Sequence, residues 1–380
     1  MEHDFSPLSS LEHRYPEKTN YLGCVFGSTT NSYKYFWLLA ILERLKIGGT
    51  SRIFRISDLI SEMFALAWHP VALYRLNLGE SDRLGQFIEI LGRQIGLLRD
   101  ASESEIRNVL KAETSKSLLD KCDIDRYVPQ RFLTPWFAPE LKGLKDYQKD
   151  LLVSQRASVA SLNGNGCFYR FVQDGNHPAI LIEESWASFV LENMTIVKAF
   201  AEHNLIGYLQ RRNPNVPGVV NKLHAPEQRD LSLARKFWKK IIEHNQRIDP
   251  LTDIYSNNIL NTSGFHIDHF LPWSFVVHDQ IWNLVPVEGS SNVHKSDNLP
   301  CIERYLPSLA LVHFRTIRAF GEHNVPNRLK EEYCDCFKLS FKVLTNIDSD
   351  KFEKRYFEII SPLAQMAVNM GFIPNWEYRP

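Results

Sequence analysis

Apolar positions in the first third of the chain recur at helical spacing. From Tyr33 to Lys46, Phe36, Trp37, Leu38, Leu39, Ile41, Leu42 and Leu45 lie nearly all the way round, the pattern of a buried helix. Asn31 or Ser32 is positioned to cap it and Gly48-Gly49 to end it. The same periodicity predicts helices over 57–67, capped by Ser57, over 82–97 and over 102–112. Trp68-His69-Pro70 and Leu78-Gly79-Glu80 read as breaks between them. The first 18 residues, polar and with two prolines, read as a loose arm.

Further on the pattern changes. Residues 127–140 carry Pro129, Pro135 and Pro139 among aromatics and read as a packed connection. Cys167–Val172 and Ala179–Ile182 have strand composition and flank Asp174-Gly175-Asn176, which predicts a hairpin. A long helix runs from Glu184 to Leu209 and stops at the Pro/Gly stretch 211–218. An amphipathic helix over 229–245 sets Leu231, Ala234, Phe237, Trp238, Ile241 and Ile242 against Arg235, Lys236, Lys239 and Lys240. After Pro300 helices are expected over 302–324, 327–345 and 351–370. The expected class is α+β, mainly helical. Four segments are expected: a helical domain 1–125, a hairpin plus long helix 126–225, a third domain 226–300 and a C-terminal helical region 301–380.

Composition narrows the classes. With 44 basic and 44 acidic residues the formal charge is zero, so any nucleic-acid surface must be local. Residues 211–247 supply one, with nine Lys/Arg against three acids. This reads as a solvated helix face or as a surface that tracks a phosphate backbone. The six cysteines are scattered with no CxxC pair, which argues against a disulfide framework or a four-cysteine zinc site. The apolar runs fall short of the roughly 20 residues of a membrane span. The N-terminal residues lack a basic region followed by an apolar one. These features predict a cytoplasmic protein with no membrane partner. No Walker motif is present, so ATP binding of that kind is not expected.

The chemistry concentrates between Phe265 and Pro300, where four of the 13 histidines fall: His266, His269, His278 and His294. Gly264–Phe270 alternates as a strand with His266, Asp268 and Phe270 on one face. Pro272 breaks it, Trp282–Val287 suits an antiparallel second strand, and 289–297 suits a short helix. Phosphodiester hydrolysis needs a base, a cation and in-line positioning. Asp268 offers a hard oxygen ligand and Asn292 an amide oxygen, a sparse donor set of the kind that holds Mg²⁺ with waters. Histidine, with an ordinary pKa near 6.5, suits His269 to accept a proton from water. His278 and His294 are left outside the metal shell.

These residues resemble the HNH, or ββα-metal, endonucleases, and within them the HNH domain of the CRISPR RNA-guided effector nuclease. Asp268-His269, Pro272, Ser274-Phe275, Asn283, Asn292 and Lys295-Ser296-Asp297-Asn298-Leu299-Pro300 stand at that domain's spacings. The resemblance implies a ββα-metal unit within 226–300, embedded between helical regions. It implies Asp268 and Asn292 as metal ligands, and His269 and Asn283 as the catalytic pair, His269 as general base and Asn283 tying the hairpin loop and helping to orient that base. Lys295 is left as a phosphate contact or a surface lysine. The implied cofactor is one divalent metal, Mg²⁺ with Mn²⁺ as the alternative. No structural zinc is expected, since no cysteine lies between Cys167 and Cys301. His266 stands where the effector nuclease has an acid, so it is left as a supporting group, an extra ligand or a plain strand residue.

The expected activity is cleavage of nucleic acid, double-stranded DNA first, in bacterial restriction or anti-phage defence. One metal site cuts one strand, so a double-strand break calls for a homodimer, a partner subunit or two visits. The alternatives are an HNH fold that binds nucleic acid or a partner without cutting, and a nuclease acting on RNA.

Overall fold

The computed structural model describes residues 14–112, 115, 119–160, 166–226, 229–247 and 249–379. The chain divides into two compact units: residues 1–214 with 219–225, and residues 215–218 with 226–380. The class is α+β, mainly helical, as the patterning predicts. Among the described residues no helix is long and apolar enough to cross a membrane.

The first unit is built on α2 (Tyr33–Ile47), preceded by α1 (Pro16–Val25). Every residue from Tyr35 to Leu42 is buried, as the all-round apolar pattern requires. Ser32 stands at the N-cap, but its backbone N–H and hydroxyl both donate to Asp82 Oδ2, at 2.7 and 2.8 Å. Asp82 in turn caps α4 (Arg83–Ile95). Between them a short β1 (Ile53–Arg55) leads directly into α3 (Ile56–Trp68). Ser57 therefore lies inside α3 rather than capping it. His69-Pro70 does not break the chain sharply either; a π turn, His69–Leu73, carries it on. α5 (Glu103–Lys111) begins with a complete capping box from Ser102 and Glu105.

Next come α6 (Val128–Phe132), α7 (Asp146–Ala160), β2 (Tyr169–Asp174) and β3 (His177–Ile182). The expected hairpin forms, and β3 pairs on its other edge with β1, giving the order β1-β3-β2. The expected single helix over 184–209 is two, α8 (Glu184–Glu192) and α9 (Met194–Arg212). Asn193, at φ −120°, is not helical and separates them. The expected loose arm is shorter than 18 residues, since Pro16 already stands in α1; residues 1–13 lie outside the described residues.

The second unit contains α10 (Ser232–Asn245), β4 (Phe265–His269), α11 (Trp273–Val276), β5 (Leu284–Glu288) and α12 (Gly289–Lys295). Four helices follow: α13 (Ile302–Asn324), α14 (Asn327–Phe337), α15 (Phe341–Asn346) and α16 (Ser349–Asn369). The expected helix over 327–345 is interrupted because Lys338 adopts a left-handed conformation, φ 54°. One hydrophobic core runs from Ala234 of α10 through the hairpin to Phe372 and Trp376. The last residues return to the segment after α12. Leu299 N donates to Ile373 O, Trp376 N to Leu299 O and Cys301 N to Trp376 O, each at 2.9 Å.

His313 of α13 is buried in this core, with Nδ1 2.5 Å from the Tyr333 hydroxyl and Trp238 against its ring. Burial pushes its pKa down to about 3. The folded protein therefore keeps His313 neutral at pH 5, while the unfolded chain binds a proton near pH 6.5. Stability is full above pH 6.5 and falls as pH drops toward 3. Between pH 6.5 and 5 the expected loss from this group is about 2 kcal/mol. Urea midpoints at the two pH values check it: the drop should be shallower in His313→Gln than in the wild type.

Candidate active site

β4 and β5 form an antiparallel pair in which Ile267 faces Pro286, Asp268 faces Val285 and His269 faces Leu284. Alternation turns Phe265 and Ile267 into the core. The next residues leave the strand at Phe270, where the chain needs a turn before Pro272. Asn283 makes that turn. Its Oδ1 accepts from Leu271 N at 2.8 Å, its Nδ2 donates to Leu271 O at 2.9 Å, and its carbonyl accepts from Phe270 N at 2.8 Å. Asn283 is wholly buried. Only an amide side chain matches one backbone donor and one acceptor together. Asn283→Ala should lower stability by roughly 2–3 kcal/mol, because two buried backbone groups lose their partners. Asn283→Asp should be no better, since a carboxylate cannot donate to Leu271 O. Chemical unfolding of the three proteins checks the order.

Asp268 is 4% exposed, and both its oxygens are engaged. Oδ2 accepts from the Tyr255 hydroxyl at 2.7 Å. Oδ1 accepts from the Lys295 ammonium at 3.1 Å. Lys295 is itself only 1% exposed and also donates to His269 O at 2.7 Å. It is neither a surface lysine nor an outward phosphate contact in this structure; it is a buried counterion to Asp268. Tyr255 is held by a loop whose geometry Asp253 sets. Asp253 accepts from Tyr255 N at 2.7 Å through one oxygen and from Glu288 N at 2.8 Å through the other. Burial, and then the Asp268 charge, raise the Tyr255 pKa well above its usual value, so its hydroxyl stays a donor.

His269 is buried to a similar degree, and its Nε2 lies 2.7 Å from Asp279 Oδ1. Asn292 lies on α12, half-buried and three residues before Lys295. That spacing puts the two on one helix face. His266 is exposed at the start of β4, over Gly289. A Cβ on Gly289 would lie 3.1 Å from His266 Nε2, so the helix starts with the residue that leaves that space. His294 is exposed on α12 and accepts from Trp376 Nε1 at 3.2 Å. Arg235, Lys236, Lys239 and Lys240 are all exposed on α10. Arg235 covers the Phe265 ring and donates to Phe265 O at 3.2 Å, which brings this basic face to the edge of β4.

A family model described as HNH endonuclease matches residues 251–301. This segment is an HNH-family domain. No curated protein and no solved structure matches the chain. The matched range begins before β4, so the HNH domain takes in the Asp253–Tyr255 loop as well as the hairpin and α12. HNH nucleases typically use a divalent metal. The donors present fit a hard cation in part. An ionised carboxylate has about four lone-pair positions, and two on Asp268 are taken. Among the described residues no three His, Cys, Asp or Glu side chains converge as ligands. A cation here would be held by Asp268, Asn292 and otherwise by water and substrate, the hold suited to Mg²⁺.

Tyr255, Asp253 and Asp279 were not singled out by sequence patterning. Tyr255 and Asp279 reach the site from loops 13 and 10 residues away, and no periodicity marks them. The Asp-x-Tyr sequence beside the motif was the available signal.

Proposed function

We propose that this protein is a metal-dependent HNH endonuclease that hydrolyses phosphodiester bonds of DNA. The observation that carries this reading is the pairing of two adjacent residues with separate supports. Asp268 is held by Tyr255 and Lys295, and His269 is held by Asp279. A structural hairpin has no need of a buried carboxylate and a buried imidazole side by side, each with its own partner.

A divalent cation bound at Asp268 and Asn292 would neutralise charge growing on the phosphate and the leaving oxygen. His269 takes a proton from the attacking water as it adds to phosphorus. Asn283 keeps the end of β4 in place, so that His269 and Asp268 stay in register. Lys295 fixes the Asp268 carboxylate from one side and Tyr255 from the other. The products carry 5′-phosphate and 3′-hydroxyl ends. His266 and the basic face of α10, with Arg235, Lys236, Lys239 and Lys240, guide the backbone of the duplex toward β4. The large flanking helical mass suits target selection, and restriction or anti-phage defence is the role proposed for it.

The test is incubation of purified protein with plasmid, single-stranded DNA and RNA, in Mg²⁺ and in EDTA, beside Asp268→Ala. Metal-dependent plasmid nicking lost in the variant is the expected result. RNA cut in place of DNA would change the substrate. No cleavage of any of the three would leave a binding module and overturn the proposal. For the biological role, phage should plate less efficiently on cells carrying the wild-type gene than on cells carrying its Asp268→Ala form.

A further inference from the structure

The loop after α11 is shaped at some cost. Val277 sits in the left-handed region at φ 52°, which a β-branched residue rarely adopts. Such a conformation is strained and persists only where its surroundings fix it. Here they do. Val277 N donates to Trp273 O at 2.7 Å. Gln280 Oε1 accepts from Trp282 Nε1 at 2.6 Å. Asn283 N donates to Gln280 O at 3.0 Å. Ile281 N donates to Glu332 Oε2 at 2.7 Å, and Glu332 is itself paired with Arg328. The chain is thus pinned on both sides of Asp279. The result of the kink is a carboxylate, 21% exposed, placed 2.7 Å from a ring nitrogen of a histidine side chain that is 7% exposed.

We infer that Asp279 is the positioning residue of His269, fixing its ring plane and its tautomer; the inference rests on the nuclease reading above. A carboxylate can only accept. The proton between the two groups therefore sits on Nε2, and Nδ1 carries the lone pair. Nδ1 is then the nitrogen that receives the proton of the attacking water, leaving an imidazolium whose charge Asp279 balances through Nε2–H. Without Asp279 the ring can rotate and place its proton on either nitrogen. Part of the population then presents an N–H where an acceptor is needed. The strained turn at Val277 is explained as the means of bringing position 279 back over β4.

The test uses the full chain and two readouts. In ¹⁵N–¹H spectra of the histidine rings, with His269 assigned by its alanine variant, wild type should show a single Nε2–H form. Asp279→Ala should show both tautomers. In single-turnover plasmid cleavage, Asp279→Ala should lose about 10²-fold in rate with DNA affinity unchanged. Asp279→Asn, whose amide oxygen still accepts from Nε2–H, should recover part of that rate. An Nδ1–H form in the wild type, or an Asp279→Ala protein cutting at the wild-type rate, overturns the inference. Wild-type protein that cuts nothing overturns the nuclease reading instead, and the ring spectra still decide the Asp279 assignment.

Discussion

Lys295→Met should destabilise the protein by about 3–5 kcal/mol in metal-free solution. Lys295 and Asp268 are both almost fully buried and 3.1 Å apart. Methionine fills similar space but removes the Asp268 carboxylate's buried cationic partner, with only Tyr255 left donating to it. It also strips His269 O of its Lys295 donor. The loss is the cost of an unbalanced buried charge, so it should shrink when the charge is removed too. Lys295→Met combined with Asp268→Asn should be more stable than Lys295→Met alone, the sign of direct coupling. A divalent cation that binds the folded form should also restore part of the stability of the single variant, by mass action. Urea midpoints of wild type, Lys295→Met, Asp268→Asn and the double variant, in EDTA and in Mg²⁺, measure all of this. A single variant as stable as wild type in EDTA would mean that Lys295 does not compensate Asp268.

His269→Ala should slow phosphodiester cleavage by about 10²–10⁴-fold, or roughly 3–5 kcal/mol in barrier. The affinity for DNA should stay as it is, because His269 is buried and contributes nothing to the exposed basic face of α10. Single-turnover nicking rates and equilibrium binding, measured on the same preparation, separate the two. A variant that cuts at the wild-type rate would remove His269 from the chemistry. One that loses binding in the same proportion as rate would make it a contact rather than a base.

The hairpin and helix around the site were legible because their signals are local. Strand alternation over Gly264–Phe270, the break at Pro272 and the spacing to Asn283 and Asn292 all lie within 30 residues. The supports of the site were not legible. Tyr255 and Asp279 act through contacts that loops create, and a loop's path is not written in hydrophobic periodicity. Lys295 was read as polar and outward because α12 has seven residues, too few to show which face is buried. In the first unit, β1 is three residues long and finds its partner β3 about 125 residues later, so alternation had nothing to register. α7 was missed for the opposite reason. Only Val153 and Ala157 of its described side chains are fully buried, and a helix polar on nearly every side reads as a loop.

The return of residues 372–376 to the segment after α12 has a consequence for anyone wishing to move this HNH domain. Trp376 pairs through its backbone with Leu299 and Cys301, and its ring packs edge-on against Tyr255 at 5.1 Å. Tyr255 in turn holds Asp268. The matched segment 251–301 is therefore not a cassette that can be cut out and grafted. A working graft would have to carry α10 in front and the whole C-terminal helical block behind. Trimming even the last ten residues would unlatch the tyrosine that steadies the candidate metal ligand.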